Sequence, residues 1–238
     1  MVVQVAPPVL LLFDIDGTLV SGAAGAHREA LHEAVVAVHG VDPTTMRGPL
    51  SPAGRTDGEI ARIILLDAGI SALRIDERAD QVRDECCRAF VRLCPEDLSD
   101  KVLAGTPELL QWLSDRDDVQ LALLTGNYEP VARLKLRRAG IGHLFAPGQG
   151  AFGSDCEDRT ALPAIARRRA GSAARPYARE RTIIVGDTPR DIACARADGV
   201  RCIAVTTGPH PREDVLQADA VASNAAELRD ALANLLTG

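Results

Sequence analysis

Three short stretches of this chain concentrate side chains able to handle a charged group: Asp14-Ile15-Asp16-Gly17-Thr18, Thr125-Gly126-Asn127 and Gly186-Asp187-Thr188-Pro189-Arg190-Asp191. Each follows an apolar, β-rich run. Taken singly, each reads as a turn, because Asp, Asn, Thr and Gly favour turns for local reasons. Taken together they put carboxylates, a hydroxyl and glycines at three strand ends, and in an open α/β sheet ligands collect outside those ends. Converging carboxylates repel one another and resist burial unless something positive compensates them. A hard divalent cation does so with oxygen ligands, and magnesium commonly takes one or two carboxylates, with waters and substrate phosphate completing its octahedron. The set therefore reads as a site for magnesium and phosphate.

The elements that must position these groups are legible in the hydrophobic pattern. Val9–Phe13 is apolar without alternation, as expected of a parallel strand covered on both faces. Val119–Leu124, Thr182–Val185 and Arg201–Val205 are further strand candidates, separated by helical patterns over Pro130–Ala139, Thr160–Ala170 and Pro189–Ala197, with a last helix over Ala225–Leu236. Strands alternating with helices predict βαβ units and a doubly wound, Rossmann-like parallel sheet. Residues 22–101 break the alternation. They carry three helical patterns, His27–His39, Asp57–Ala68 and Asp76–Leu93, separated by prolines and glycines, and no convincing strand. The expected organisation is an α/β core of residues 1–21 and 102–238 with an all-helical insert at 22–101.

FDIDGTLV, LLTGN and VGDTPRDI resemble, in the same order, the first, second and fourth motifs of the haloacid dehalogenase-like superfamily. The resemblance spans about residues 9 to 205. It implies Asp14 as a nucleophile that forms an aspartyl-phosphate, and Asp16 as the general acid/base that protonates the leaving oxygen and then activates water. Mg2+ would be held by the Asp14 side chain, the Asp16 main-chain carbonyl and Asp187. Thr125, with backbone N–H groups around Gly126 and Asn127, would hold a phosphoryl oxygen. Asp191 would stand behind the ligands and orient a water or a cation.

The family's third motif supplies a cation, in many relatives a lysine opening the helix before the fourth motif. The corresponding stretch here, Gly153 to Arg159, has no lysine. Arg159 can fill the place, since a guanidinium binds carboxylate and phosphate together; Lys135 is the competitor, and the sequence leaves the two open. The bland alternatives are a solvated helix charge for Lys135 and a pairing of Arg159 with Asp155 or Glu157. Asp16 argues against dehalogenase and phosphonatase chemistry, because the related enzymes of those types lack this second aspartate.

An insert directly after the first motif matches the helical cap of phosphoglycolate phosphatases, β-phosphoglucomutases and dehalogenases, which closes over the site. Gly22-Ala23-Ala24-Gly25 suits a hinge. In Gly54-Arg55-Thr56-Asp57, Arg55 could reach an anionic substrate, against the plainer reading of a helix N-cap by Thr56 or Asp57 with Arg55 in solvent. His27 and His32 belong to the first cap helix; His27 falls near the place of the proton-relay histidine of a mutase, although its surroundings do not otherwise resemble one.

The resemblance thus implies a magnesium-dependent phosphatase of a small phosphorylated, phosphoglycolate-like metabolite. A phosphosugar mutase and a non-catalytic binding descendant are the alternatives, the latter disfavoured because all four aspartates are present. A phosphoreceiver domain fails on size and on the helical insert. Composition narrows the rest. The chain has 238 residues and a net charge of −6, a poor field for nucleic acid despite the run Arg167–Arg168–Arg169. No apolar run approaches the ~20 residues of a membrane span. The N-terminus lacks the basic region of a signal peptide and reads as leading into a buried strand. Six cysteines without a CxxC pair read as reduced thiols in a cytoplasmic protein, monomeric or homodimeric.

Overall fold

The computed structural model describes residues 8–237; the first seven residues of the expected 1–21 core segment lie outside the described residues. Six parallel strands form one sheet, β1 (Val9–Phe13), β2 (Val119–Thr125), β3 (Ala151–Phe152), β4 (Thr182–Gly186), β5 (Arg201–Val205) and β6 (Ala220–Ala222), in the order β3-β2-β1-β4-β5-β6. In register, Leu10 lies beside Gln120 on one side and Thr182 on the other.

Alternate residues of each strand feed two cores, as the period of two requires. Val9, Leu11 and Phe13 join Leu121, Leu123, Ile183, Val185 and Ile203 under α4 (Thr106–Ser114), α5 (Glu129–Arg138) and α8 (Ala225–Thr237). Leu10 and Leu12 join Ala122, Leu124, Ile184 and Cys202 under α6 (Leu162–Ala170) and α7 (Pro189–Asp198). Every residue of β1 is buried, which explains its unbroken apolar run. The chain winds outward from β1 through β2 to β3, then returns to β4 on the other side of β1. The point of reversal lies between β1 and β4, where a crevice opens at the carboxyl ends.

Between β1 and α4 lie three helices, α1 (Ala24–His39), α2 (Asp57–Asp67) and α3 (Ala72–Leu93). They share a core in which Ala30, Ala34 and Val35 of α1 meet Val82, Cys86, Ala89 and Phe90 of α3. α1 begins earlier than its apolar pattern suggested, so Ala24 and Gly25 of the expected hinge are already helical, and α3 begins at Ala72 because Ser71 caps it. The two chain crossings that flank the helices run side by side: Val20 bridges Val102, the Ser21 N–H donates to Lys101 O at 2.8 Å, and the Leu103 N–H donates to Leu19 O at 3.0 Å. All six cysteines are free thiols. No helix among the described residues is long and apolar enough to cross a membrane.

Candidate active site

Asp14 is the first residue beyond β1 and Asp187 the first beyond β4, so the two strands flanking the crevice each deliver a carboxylate to it. Both are buried, as is Asp191, and one carboxylate oxygen of each lies within 4.8 Å of the others. Asp191 is held twice over. Its Oδ2 accepts from the Thr188 N–H at 3.0 Å and from Thr188 Oγ1 at 2.8 Å, closing a capping box that starts α7. Its Oδ1 accepts from Arg159 Nη2 at 2.5 Å. The same Nη2 lies 2.9 Å from Asp14 Oδ2, while Asp14 Oδ1 accepts from the Ile15 N–H at 2.8 Å. Arg159 is thus the side chain that counters the carboxylates, and the alternative partners considered for it are taken: Asp155 pairs with Arg169, and Glu157 with Arg62.

One guanidinium does not neutralise three carboxylates. Burial raises the Asp14 carboxyl to about 6, with Arg159 opposing and Asp191 adding to the rise. Burial, then Asp14 and Asp191, raise Asp187 to about 8. Asp187 Oδ1 accepts from Thr18 Oγ1 at 3.0 Å, but its Oδ2 is buried with no hydrogen-bond partner, and so is Arg159 Nε. Buried polar atoms are nearly always paired. One unmatched acceptor and one unmatched donor at a single site are the complements of a cation and of an anion, and a hard divalent ion fits the all-oxygen donor set.

A second cluster stands beside the first. Lys135 is fully buried, and its ammonium donates to Asp16 Oδ1 and Oδ2 at 2.8 and 2.7 Å and to Asn127 Oδ1 at 2.9 Å. Asn127 Nδ2 donates to Asp16 Oδ2 at 3.1 Å. Burial works to raise the Asp16 carboxyl, but Lys135, with His27 and the two hydrogen-bonded groups, holds it below the usual carboxylate range. The two candidate cations therefore divide the carboxylates between them: Arg159 meets Asp14, and Lys135 meets Asp16. Lys135 can reach because α5 starts only four residues after Thr125 and packs its Lys135 face inward. Thr125 is buried, and its Oγ1 accepts from the Asn127 N–H at 3.3 Å, which leaves the hydroxyl proton free to donate.

The helical segment meets these loops through Gly54-Arg55-Thr56-Asp57. Thr56 is the N-cap of α2, accepting from the Glu59 N–H at 3.1 Å, as the plainer reading had it. Arg55 lines the site cavity, but its guanidinium is tied to Glu59 and donates to Ser51 O at 3.0 Å. The Asp57 N–H donates to Gly126 O at 2.9 Å, and Asp57 Oδ2 accepts from the Tyr128 N–H at 2.7 Å and pairs with His27 Nε2 at 3.0 Å. Thr56 Oγ1 donates to Glu157 O at 2.7 Å. Gly126 allows this docking, since a Cβ there would overlap the Arg55 carbonyl.

Reasoning from strand ends should also have picked out Thr207 and Gly208, which lie just beyond β5. Thr207 Oγ1 donates to Gly17 O at 2.5 Å, and Gly208 is pressed against the Asp187 carboxylate so closely that a Cβ would overlap its Oδ2. Gly208→Ala is expected to displace Asp187. Activity should fall roughly 100-fold, the cost of about 1 Å of misplacement, and stability by about 1–3 kcal/mol from overpacking. Turnover within threefold of wild type in a steady-state assay would show that Asp187 has room to move.

The chain matches the family model for haloacid dehalogenase-like hydrolase over residues 11–196. It is similar to Phosphoglycolate phosphatase 1 of Pseudomonas aeruginosa, with 26% identity over 204 residues that cover 84% of this chain and 70% of that protein. Among solved structures it resembles a predicted phosphatase from Clostridium acetobutylicum, with a TM-score of 0.69 and 16% identity over 96% of this chain and all of that one. It also resembles a β-phosphoglucomutase from Clostridium difficile, with a TM-score of 0.67 and 14% identity over 98% of each chain. At these identities the two structures bear on the fold alone.

Proposed function

This chain belongs to the haloacid dehalogenase-like hydrolase family, and from that premise we propose that it is a divalent-metal-dependent phosphatase of a small phosphomonoester, with Asp14 as nucleophile. The observation that carries the proposal is the buried Asp14 carboxylate at the crevice, countered by Arg159 and adjoining the unpartnered Asp187 oxygen. An Asp14 oxygen attacks phosphorus, the ester P–O bond breaks, and an aspartyl-phosphate forms on Asp14. Asp16 gives a proton to the departing oxygen and later takes one from the water that attacks phosphorus, which releases phosphate and restores Asp14. Lys135 keeps Asp16 ionised, the form needed for the second step. The arriving phosphate dianion favours the protonated form needed for the first. The Thr125 hydroxyl and Arg159 receive phosphoryl oxygens. Mg2+ would be held by Asp14, Asp187 and the Asp16 main-chain carbonyl, and when bound it supplies charge neutralisation for the phosphoryl group.

Support for the substrate class comes from the similarity to a phosphoglycolate phosphatase, and for a closing cap from the docking of residues 54–57 on the second-motif loop. The test is phosphate release from a panel of phosphomonoesters, 2-phosphoglycolate included, with Mg2+ and with EDTA. Release that needs the metal supports the proposal; release unchanged by EDTA, or none from the whole panel, overturns it. A mutase reading draws on His27, which lines the cavity backed by Asp57. It would show as interconversion of sugar phosphates with little phosphate released.

The raised carboxyls give a further expectation. Unfolded carboxyls ionise near 4, whereas Asp14 and Asp187 do so at about 6 and about 8 in the fold. Between those limits the native state holds more protons than the unfolded chain, so without metal these groups erode stability as pH rises. A divalent cation displaces the same protons and binds better at high pH. Mg2+ at millimolar concentration is expected to raise Tm by several degrees at pH 8 and by less than half as much at pH 5.5. An equal shift at both pH values, read by differential scanning fluorimetry, would contradict the assignment.

A further inference from the structure

The carboxylates form the floor of a cavity of about 680 Å³ that continues upward into the helical segment. Its upper wall is made by Leu31 of α1, Ile60 and Ile64 of α2, and Pro43, Met46 and Leu50 of the loop between them. The volume is in the range that encloses drug-sized ligands, roughly 300–1,000 Å³. A two-carbon alcohol would leave most of it to water, against aliphatic side chains that gain nothing from water.

The ionisable groups around this upper part are neutral, spent or peripheral. His32 lines it, but burial and the nearby Arg28 lower its pKa and favour the uncharged imidazole. Arg55 is paired with Glu59 and bonded to Ser51 O. His27 faces Asp57. Arg28 has no ion pair among the described residues, but it is exposed and stands on the rim. A leaving group bearing its own carboxylate would have to be desolvated in this part of the cavity, and among the described residues no buried unpaired cation there compensates it. Apolar walls in a cavity continuous with a phosphoryl site call for an uncharged, apolar alcohol.

Resting on the phosphatase reading for the phosphoryl end, we propose that the preferred substrate is a phosphomonoester whose alcohol carries an uncharged apolar body, an alkyl or aryl phosphate, and not a two-carbon acid phosphate. The phosphoryl group sits on the carboxylate floor, and the alkyl or aryl body fills the space between Leu31, Met46, Leu50, Ile60 and Ile64. Binding energy gained there is remote from phosphorus, and it serves to orient the ester over Asp14.

Two arms separate this inference from the reading it rests on. In the first, binding of n-alkylphosphonates from ethyl to hexyl is measured by calorimetry with Mg2+ present. Because these ligands cannot be hydrolysed at the P–C bond, the result does not depend on turnover. Affinity is expected to tighten roughly 2- to 4-fold per added methylene, the value of a buried CH2. In Leu50→Ser and Met46→Ser the dependence on chain length should flatten. In the second arm, kcat/KM is measured for n-alkyl phosphates, whose leaving alcohols are nearly equal in acidity, and for 2-phosphoglycolate. Hexyl phosphate is expected to exceed 2-phosphoglycolate at least 10-fold. Affinity that is independent of chain length, or 2-phosphoglycolate preferred over hexyl phosphate, overturns the inference and leaves the phosphatase standing. Chain-length-dependent binding with no hydrolysis of any ester upholds the apolar site and overturns the phosphatase.

Discussion

Asp14→Asn is expected to lower phosphate release by roughly 10⁴- to 10⁶-fold, the scale on which loss of a nucleophile is felt elsewhere, while leaving the protein at least as stable as before. The two halves of the expectation have one source. Asp14 is buried beside Asp187 and Asp191, and burial lifts its carboxyl to about 6. A carboxyl whose folded pKa is raised costs the native state stability as pH climbs past its unfolded value, and the cost is complete above the folded value. Asparagine keeps the shape but not the charge, and its one carbonyl oxygen can accept from the Ile15 N–H or from Arg159, not from both, since the two meet different oxygens of Asp14. In EDTA at pH 7.5 the variant should gain on the order of 1–3 kcal/mol. Urea denaturation and a phosphate-release assay on the same preparation read both quantities. Residual activity above about 1% of wild type would move the nucleophile elsewhere, and a loss of stability would mean that Asp14 is a structural partner of Arg159 first.

Arg159→Met tests the opposite member of the cluster and is expected to be the more damaging to the fold. It removes the guanidinium that touches Asp14 at 2.9 Å and Asp191 at 2.5 Å and leaves three buried carboxylates within 4.8 Å of one another. Stripping one partner from a buried ion pair costs about 3–5 kcal/mol. The loss should be largest in EDTA and, at the proposed metal site, smaller with Mg2+, which would supply charge to the same oxygens. Asp191→Asn added to Arg159→Met should recover part of it, because one charge goes while the amide carbonyl can still accept from the Thr188 N–H. Lys135→Met makes the comparison. Its partner Asp16 is 33% exposed and keeps Asn127, so water can solvate the orphaned carboxylate and the loss should be smaller. Equal stability of Arg159→Met and wild type in EDTA, by urea midpoint at constant m, would show that the guanidinium is not what holds the carboxylates together.

Legibility in the sequence followed how local each signal is. The strands Val9–Phe13 and Arg201–Val205 could be placed to the residue, because burial on both faces leaves a short, mostly apolar run that ends at Asp14 in one and at Thr206 in the other. The two-residue β3 carries no such run and exists only through its pairing with Leu124 and Thr125. β6 has only three residues, and α4, opened by Thr106-Pro107, lies in a stretch with no distinctive charge pattern. In the site, the acidic residues could be found because Asp beside Gly and Thr at a strand end is a short-range pattern. The division of labour between Arg159 and Lys135 could not, because it depends on where two helix starts fall in space relative to β1. Asp57 was visible only as a helix cap. Its carboxylate serves His27 and the Tyr128 N–H at once, a contact across elements 30 and 71 residues away in sequence that no spacing rule encodes.

The paired crossings at Val20–Val102 and Ser21–Lys101 bear on the entropy of the chain. Everything between them is a closed detour that leaves and rejoins the core within one hydrogen bond. The core therefore meets the detour as a loop whose ends are already fixed, and closure entropy rises only as the logarithm of loop length, roughly 0.6 kcal/mol per doubling. Lengthening, shortening or exchanging the helical segment should thus alter which alcohol is admitted above the carboxylates at small expense to the sheet below. A short turn joining residue 21 to residue 102 should leave a core that folds and keeps Asp14, Asp187 and Arg159 in place, open to phosphomonoesters too large to fit beneath the helices.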